Sequence, residues 1–278
     1  MYTVIGLGGV GCRVAKCFSE YPQYNIVCID DVNSDWKDQM VVRKQPTPEM
    51  YEESFTSLTK KVKQKIKEEI IFVLSGSSDV SAIALRILQE LKRKKVTILY
   101  VRPEIDLLDQ TSALQERVIY SVLQEYTRSG LFEKMYLTNN STMDSMVVDA
   151  GVRDYYPTIN NLIASCLHMV NVFDHGESIV GNFSKINVAR RVCTLGILNM
   201  ESGEESLFSP FEDAMNTRLY YGISKDSLNN DKNLQRNIIR LIKDKSQDLC
   251  KYSYGVYETQ YETDFCYIKT YSSKVQEF

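Results

Sequence analysis

Near its start the chain spells an apolar, β-branched run, Tyr2–Ile5, that ends in the glycines Gly6, Gly8, Gly9 and Gly11. Glycines let a backbone come close to an anion. A helix that follows at once points its free N–H groups and the positive end of its dipole at that anion. The pattern predicts a phosphate cradle made by the amides of Gly8, Gly9, Val10, Gly11, Cys12 and Arg13, with the Arg13 guanidinium as an added charge. A plain strand-to-helix turn is spelled the same way, and these residues alone do not say which phosphate-bearing ligand fits.

Later segments carry related chemistry. Asp30 and Asp31 follow a second apolar run and suit a ribose hydroxyl as acceptors, or simply cap a turn. Gly76, Ser77, Ser78 and Asp79 open a helical pattern, so they form either a second anion cradle or an ordinary N-cap. Arg102 and Glu104 flank a proline after the next apolar run, Arg117 lies farther along, and Thr138–Asn140 is a polar turn. Tyr155 and Tyr156 stand before a buried helix whose first turn holds Asn160 and Asn161. An aromatic ring stacks on a base, and an asparagine amide both donates to and accepts from a purine edge. Core packing and a solvated helix start are the plainer alternatives. Each segment is ambiguous, but their order is not: phosphate, ribose and base chemistry come up in turn at successive strand ends.

The elements that must position these residues alternate. Strands are predicted at Thr3–Ile5, Asn25–Ile29, Ile70–Leu74, Val96–Val101 and Lys134–Leu137. Helices are predicted at Arg13–Glu20, Pro48–Lys67, Val80–Lys92 and Leu107–Tyr126, with Trp36–Pro48 as a loop. In the third of these helices, Ile83, Leu85, Ile87, Leu88 and Leu91 form the apolar face. Such a βαβα order implies a parallel sheet covered on both faces, with ligands beyond the C-terminal strand ends. Pro157 starts a buried helix that runs to Phe173. After Asp174 the pattern becomes alternating and tyrosine-rich, with one helix at Lys232–Cys250 and strands at Tyr252–Gln260 and Asp264–Tyr271. The expected division is residues 1–156, a connecting helix over 157–174, and a second α+β unit over 175–278.

Composition narrows the function classes. The 278 residues are 44% hydrophobic and 25% charged, as in an ordinary globular protein. A net charge of −3 gives no reason to propose nucleic acid. No apolar run reaches membrane-spanning length, the N-terminus reads as a strand rather than a signal peptide, and the last strand ends near the last residue, which predicts no tail-borne membrane tether. Seven cysteines without a CxxC pair suit reduced thiols in the cytoplasm. Two histidines make a His-based metal site or triad improbable, and no metal ligand or catalytic side chain is assigned.

In the order of these segments the chain resembles the tubulin/FtsZ superfamily, in strongly diverged form, over most of its length and best from Met1 to Phe173. Gly6–Cys12 resembles the family's first glycine-rich loop. Phe72–Asp79 occupies the place of its signature loop, Val101–Pro103 is similar to its Thr-Lys-Pro, and Leu137–Asn140 to its Pro-Asn-Asp segment. Asp154–Asn161 lines up with its Asp-Ala-Phe-Gly-Ala-Ala-Asn-Asp. The resemblance implies an α/β fold in which a Rossmann-like GTPase domain is joined by a central helix to a smaller α+β domain. It further implies GTP or GDP binding and head-to-tail polymerisation. Tyr156 then takes the guanine-stacking position, and Asn160 and Asn161 the guanine-reading positions.

Two departures matter. The signature loop keeps only Gly76, and Asp79 adds negative charge near any γ-phosphate, which disfavours a trianion unless a metal intervenes. The family also places hydrolytic acids on the loop after the central helix. Here no aspartate occurs between Asp174 and Asp213. Lys185, Asn187 and Arg190 stand where acids are expected, and Glu177 lies early. Without a carboxylate to polarise water, hydrolysis is expected to be slow or absent. Asn161 in place of an aspartate also weakens guanine selectivity. The resulting expectation is an assembly protein with a GTP or GDP site, or a vacant remnant of one, that associates with its own copies or with other subunits. One rival is an active GTPase using Glu177. Another is an adenylating enzyme of the kind that activates ubiquitin-like proteins, although its Asn-x-x-Arg-Gln motif and CxxC pairs are missing. A plain NAD-binding Rossmann protein leaves the later loops as coincidences.

Overall fold

The computed structural model describes residues 2–245 and 250–277. The first half of the chain lays down β1 (Tyr2–Leu7), α1 (Gly8–Cys17), β2 (Tyr24–Asp30), β3 (Gln39–Val41), α2 (Pro48–Ser54), α3 (Lys60–Lys65), β4 (Glu69–Leu74), α4 (Ala84–Glu90), β5 (Lys95–Arg102), α5 (Gln110–Arg128), β6 (Lys134–Asn139) and α6 (Asn140–Met143). A 21-residue helix, α7 (Tyr155–His175), follows. Then come β7 (Val192–Leu198), β8 (Glu205–Leu207), β9 (Asn216–Ser224), α8 (Lys225–Asn230), α9 (Leu234–Lys245), β10 (Lys251–Thr259) and β11 (Phe265–Ser272).

All the strands share one 11-stranded sheet in the order β10-β9-β11-β7-β6-β5-β4-β1-β2-β3, with β8 pairing the end of β7 that β6 does not reach. From β3 to β7 every pairing is parallel, and β11 enters antiparallel between β7 and β9. The apolar strand runs arise because both faces are covered. Ile5, Phe72 and Ile98 face α2 to α5, while Val4, Ile71 and Leu99 face α1 and α7. Beyond β7, Tyr220 and Tyr257 pack against Phe173 of α7. On the opposite face, Tyr221, Val256 and Ile268 meet Ile238 of α9.

Several sequence expectations need correction. The helix expected over Pro48–Lys67 is two helices. Thr47 and Thr59 each cap one, and between them Phe55 and Leu58 turn into the core, 6% and 4% exposed. The helix expected over Val80–Lys92 opens as a 3₁₀ turn at Asp79–Ile83. This shifts its phase, so Ala84, Ile87, Leu88 and Leu91 form the apolar stripe and Leu85 faces out at 36% exposure. The expected loop Trp36–Pro48 contains β3, which pairs with β2. The helix expected over Lys232–Cys250 is observed as α9; residues 246–249 lie outside the described residues.

The glycine segment is the main local surprise. The first helix begins at Gly8, not Arg13, so these glycines form its opening turns. Gly8 supplies the left-handed φ of +71° that turns the strand into the helix. Gly11 lets α1 settle directly on the Val73 carbonyl of β4. Replacing Gly11 with Ala puts a Cβ into that carbonyl and is expected to cost about 2 kcal/mol of unfolding free energy. Gly151→Ala, which meets only Asp154 at 3.9 Å, is expected to be near neutral. Urea denaturation of the two variants checks the contrast.

Candidate functional site

Because β1, β2, β4, β5 and β6 are parallel, their C-terminal ends open on one edge of the sheet, and α7 starts on the same edge. The register places Leu7 beside Ile29, Leu74 beside Tyr100, and Arg102 beside Asn139. The first cradle meets the second here. A Cβ on Gly8 would lie 2.8 Å from Ser78 Oγ, and one on Gly9 would lie 3.3 Å from the Arg13 guanidinium and 4.0 Å from Asp30 Oδ2. Arg13 therefore folds back over the first helical turn beside Asp30. Burial raises the Asp30 carboxyl above its ordinary range, against the pull of Arg13. Asp31 accepts a hydrogen bond from the Tyr51 hydroxyl. Cys12 turns inward, its thiol 3.4 Å from the Gly6 carbonyl and 3.6 Å from that of Ile29, and Val10 is half-buried against α7's side of the core.

Side chains, in place of glycines, shape the loop at Ser75–Asp79. Ser81 Oγ donates to the Gly76 carbonyl at 2.6 Å, and Gln115 Nε2 donates to that of Ser78 at 2.7 Å. Ser75 and Ser77 hydroxyls lie 3.4 Å apart, and Asp79 is exposed. Beneath Gly76 lies a residue that motif reading missed, Glu116 of α5. It is fully buried and accepts a 2.7 Å hydrogen bond from Tyr100. Burial pushes its carboxyl up to about 7, opposed by the Tyr100 hydroxyl, the Gly76 and Ser77 amides and Arg102. The signal was present: Glu116 falls on the buried stripe of Ile119, Tyr120, Leu123 and Thr127, where an acid is out of place.

The remaining candidates form separate groups. Arg102 lies over the Tyr120 ring at 5.1 Å and shares a cavity of about 500 Å³ with Asn139, Ser209 and Lys274. Asn139 Oδ1 accepts from the Ser141 amide and so caps α6. Burial, and then Asp144, to which it donates at 2.9 Å, push the Tyr155 hydroxyl up to about 12, with Glu104 adding a smaller push. Tyr156 stands edge-on to Tyr155 and is 49% exposed. Asn160 is buried, but Asn161 is exposed and lines a groove with Cys17 and Tyr21. Consecutive helical residues point about 100° apart, so the two amides face different surroundings. Cys17 ends α1, about 14 Å along the helix from Gly8, which places Asn161 away from the glycine turn.

The far end of α7 lies about 31 Å away, at the N-terminal strand ends, where His175 Nε2 is 3.3 Å from the Tyr2 hydroxyl. Asp174 is held inward there. Its Oδ2 is 2.7 Å from Lys269 Nζ, and its Oδ1 accepts from Tyr220 at 2.7 Å and lies 3.8 Å from Arg218. Burial works against its ionisation, but Lys269 and then Lys134 outweigh it and hold the carboxyl at about 2. In the following loop Lys185 and Glu177 are exposed, and Arg190 is bound to Asn216. Among the described residues no group of three His, Cys, Asp or Glu side chains is placed to hold a metal ion, and no helix is long and apolar enough to cross a membrane.

No family model matches the chain, and no curated protein matches its sequence. The fold, however, has clear counterparts. TubZ of Bacillus thuringiensis serovar israelensis, as GDP-form protofilaments, aligns with a TM-score of 0.70 at 17% identity over 97% of this chain and 86% of that one. CetZ2 from Haloferax volcanii, as a GTPγS-bound protofilament, aligns with a TM-score of 0.69 at 14% identity, covering 97% and 92%. An empty FtsZ dimer from M. jannaschii gives a TM-score of 0.61 at 11% identity, covering 97% and 87%. The chain has a tubulin/FtsZ-like α/β fold.

Glu116 gives the site a pH signature. The folded carboxyl keeps its proton up to about 7, while the unfolded one loses it near 4.5, so folding binds a proton between these values and stability falls as pH rises through that window. Glu116→Gln, which stays neutral, lacks this decline. Urea denaturation is expected to show a pH 5-to-8 loss of stability smaller by about 2 kcal/mol than in the wild type. An equal loss in both proteins would mean that Glu116 ionises normally in the fold.

Proposed function

We propose that this chain is a tubulin/FtsZ-like assembly protein that binds GTP or GDP at the C-terminal strand ends, stacks head to tail with its own copies, and hydrolyses the nucleotide slowly or not at all. The phosphates would lie on the amides of Gly8–Arg13 and of Gly76–Asp79. Arg102, Glu104 and Asn139 would line the ribose side, and Tyr156 and Asn160 the base, with Asn161 turned instead to the groove it shares with Cys17 and Tyr21. The relatives in fold support this reading: TubZ and CetZ2 form protofilaments with GDP or GTPγS, and TubZ also forms a two-stranded filament. The division into residues 1–156, 157–174 and 175–278, and a cytoplasmic setting suited to seven free cysteines, belong to the same proposal.

One observation carries the loss of hydrolysis. α7 is about 31 Å long, so the loop that directly follows it, residues 176–191, lies at the end opposite the proposed nucleotide, and an acid on that loop would act on a neighbour's nucleotide rather than its own. Asp174, the aspartate nearest that end, is turned into its own chain by Lys269, Tyr220 and Arg218. The loop after it exposes Lys185, and Glu177 is its one acid. A cation brought against a bound phosphate stabilises the contact but polarises no water.

Right-angle light scattering and pelleting across a concentration series test the assembly. With GTP, both are expected to rise above a threshold concentration. A protein that stays monomeric at every concentration, with and without GTP, overturns the reading.

A further inference from the structure

The N-terminal strand ends carry a second, differently built polar site. A cavity of about 400 Å³ opens there between β4, β5, β6 and the last turns of α7, lined by Lys134, Arg218, Asp174, Asn171, Thr97 and His175 among others. Its volume admits about a dozen water-sized groups. Its inner wall is short of negative charge. Lys269 and Arg218 are direct cross-strand neighbours, and Lys134 stands close enough for Lys269 to be the main cause that pulls its ammonium down to about 8. Three cations therefore share one carboxylate, Asp174, whose oxygens are already taken by Lys269 and by Tyr220 and Arg218. Among the described residues no carboxylate comes within ion-pair distance of Lys134. The acids at the rim are spoken for or turned to solvent: Glu69 pairs with Lys95 at 3.9 Å, and Glu133 is exposed.

We infer that this cavity is a binding site for a small oxyanion, a carboxylate or phosphate group held by Lys134 and Arg218 with its body against Asn171 and Thr97, at the opposite end of the molecule from the glycine turns. The anion supplies the counter-charge that the wall lacks, and charge-assisted hydrogen bonds to a partly desolvated ammonium are strong. The site does not depend on the nucleotide reading.

Isothermal titration of the full chain with sodium phosphate and with sodium succinate, at ionic strength matched with chloride, tests it. Saturable binding of one or both is expected, and which one binds tells phosphate from carboxylate. Lys134→Met should weaken it at least about tenfold, Lys134→Arg should keep it, and Gly151→Ala, where a Cβ meets only Asp154 at 3.9 Å, should leave it unchanged. Should the methionine variant not fold, Lys134→Gln serves in its place. No saturable heat with either anion on the wild type overturns the inference. So does a phosphate heat that survives Lys134→Met and disappears in Gly9→Ala, since that heat belongs to the glycine turn.

Discussion

A buried lysine organises this molecule. Lys269 sits in β11 with no exposed surface, in the strand that joins β7 to β9, directly across from Arg218. Like charges placed opposite one another on a sheet repel, and an unpaired buried ammonium is costly. The arrangement holds because the last turn of α7 delivers Asp174 into it at 2.7 Å. Breaking such a pair is far more damaging than never having had it. The requirement fixes where α7 ends, and so how the strands after it meet the sheet before it.

The same contact links both functional proposals. A carboxylate committed to Lys269, Tyr220 and Arg218 is withdrawn from the surface that a neighbouring copy would meet. A carboxylate divided among three cations leaves Lys134 under-compensated at the wall of a cavity. At the other end of α7 side-chain contacts also set the loop chemistry. Where glycines would give a phosphate loop its freedom, Ser81, Gln115 and the buried Glu116 hold Ser75–Asp79 in a fixed shape. A loop fixed by hydrogen bonds can still offer amides to an anion, but it follows changes in that anion less readily.

Much of the sheet was legible in the sequence. Doubly covered parallel strands read as unbroken apolar runs, and the glycine turn, Asp30, Ser75–Asp79, Arg102 and Asn139 all fall at strand ends on one edge. What stayed hidden had physical reasons. Phe55 and Leu58 break a helix that local charge and propensity favour, because their burial under the sheet outweighs helical continuity. β7 and β9 include buried threonines, Thr194 and Thr217, so their runs looked less like core. Asn160 and Asn161 seemed a pair in sequence, but a helix sends neighbours to different faces. Asp174 and Lys269 are 95 residues apart, and no local pattern joins them.

The central proposal is that the chain binds guanine nucleotide and hydrolyses it slowly or not at all. The most direct measurement is the identity of the nucleotide recovered by acid extraction and chromatography from concentrated protein incubated for hours with GTP. The account expects guanine nucleotide near one per chain, recovered mainly as GTP. Recovery mainly as GDP, accumulating faster as the protein is concentrated, would contradict it, as would protein that retains no nucleotide.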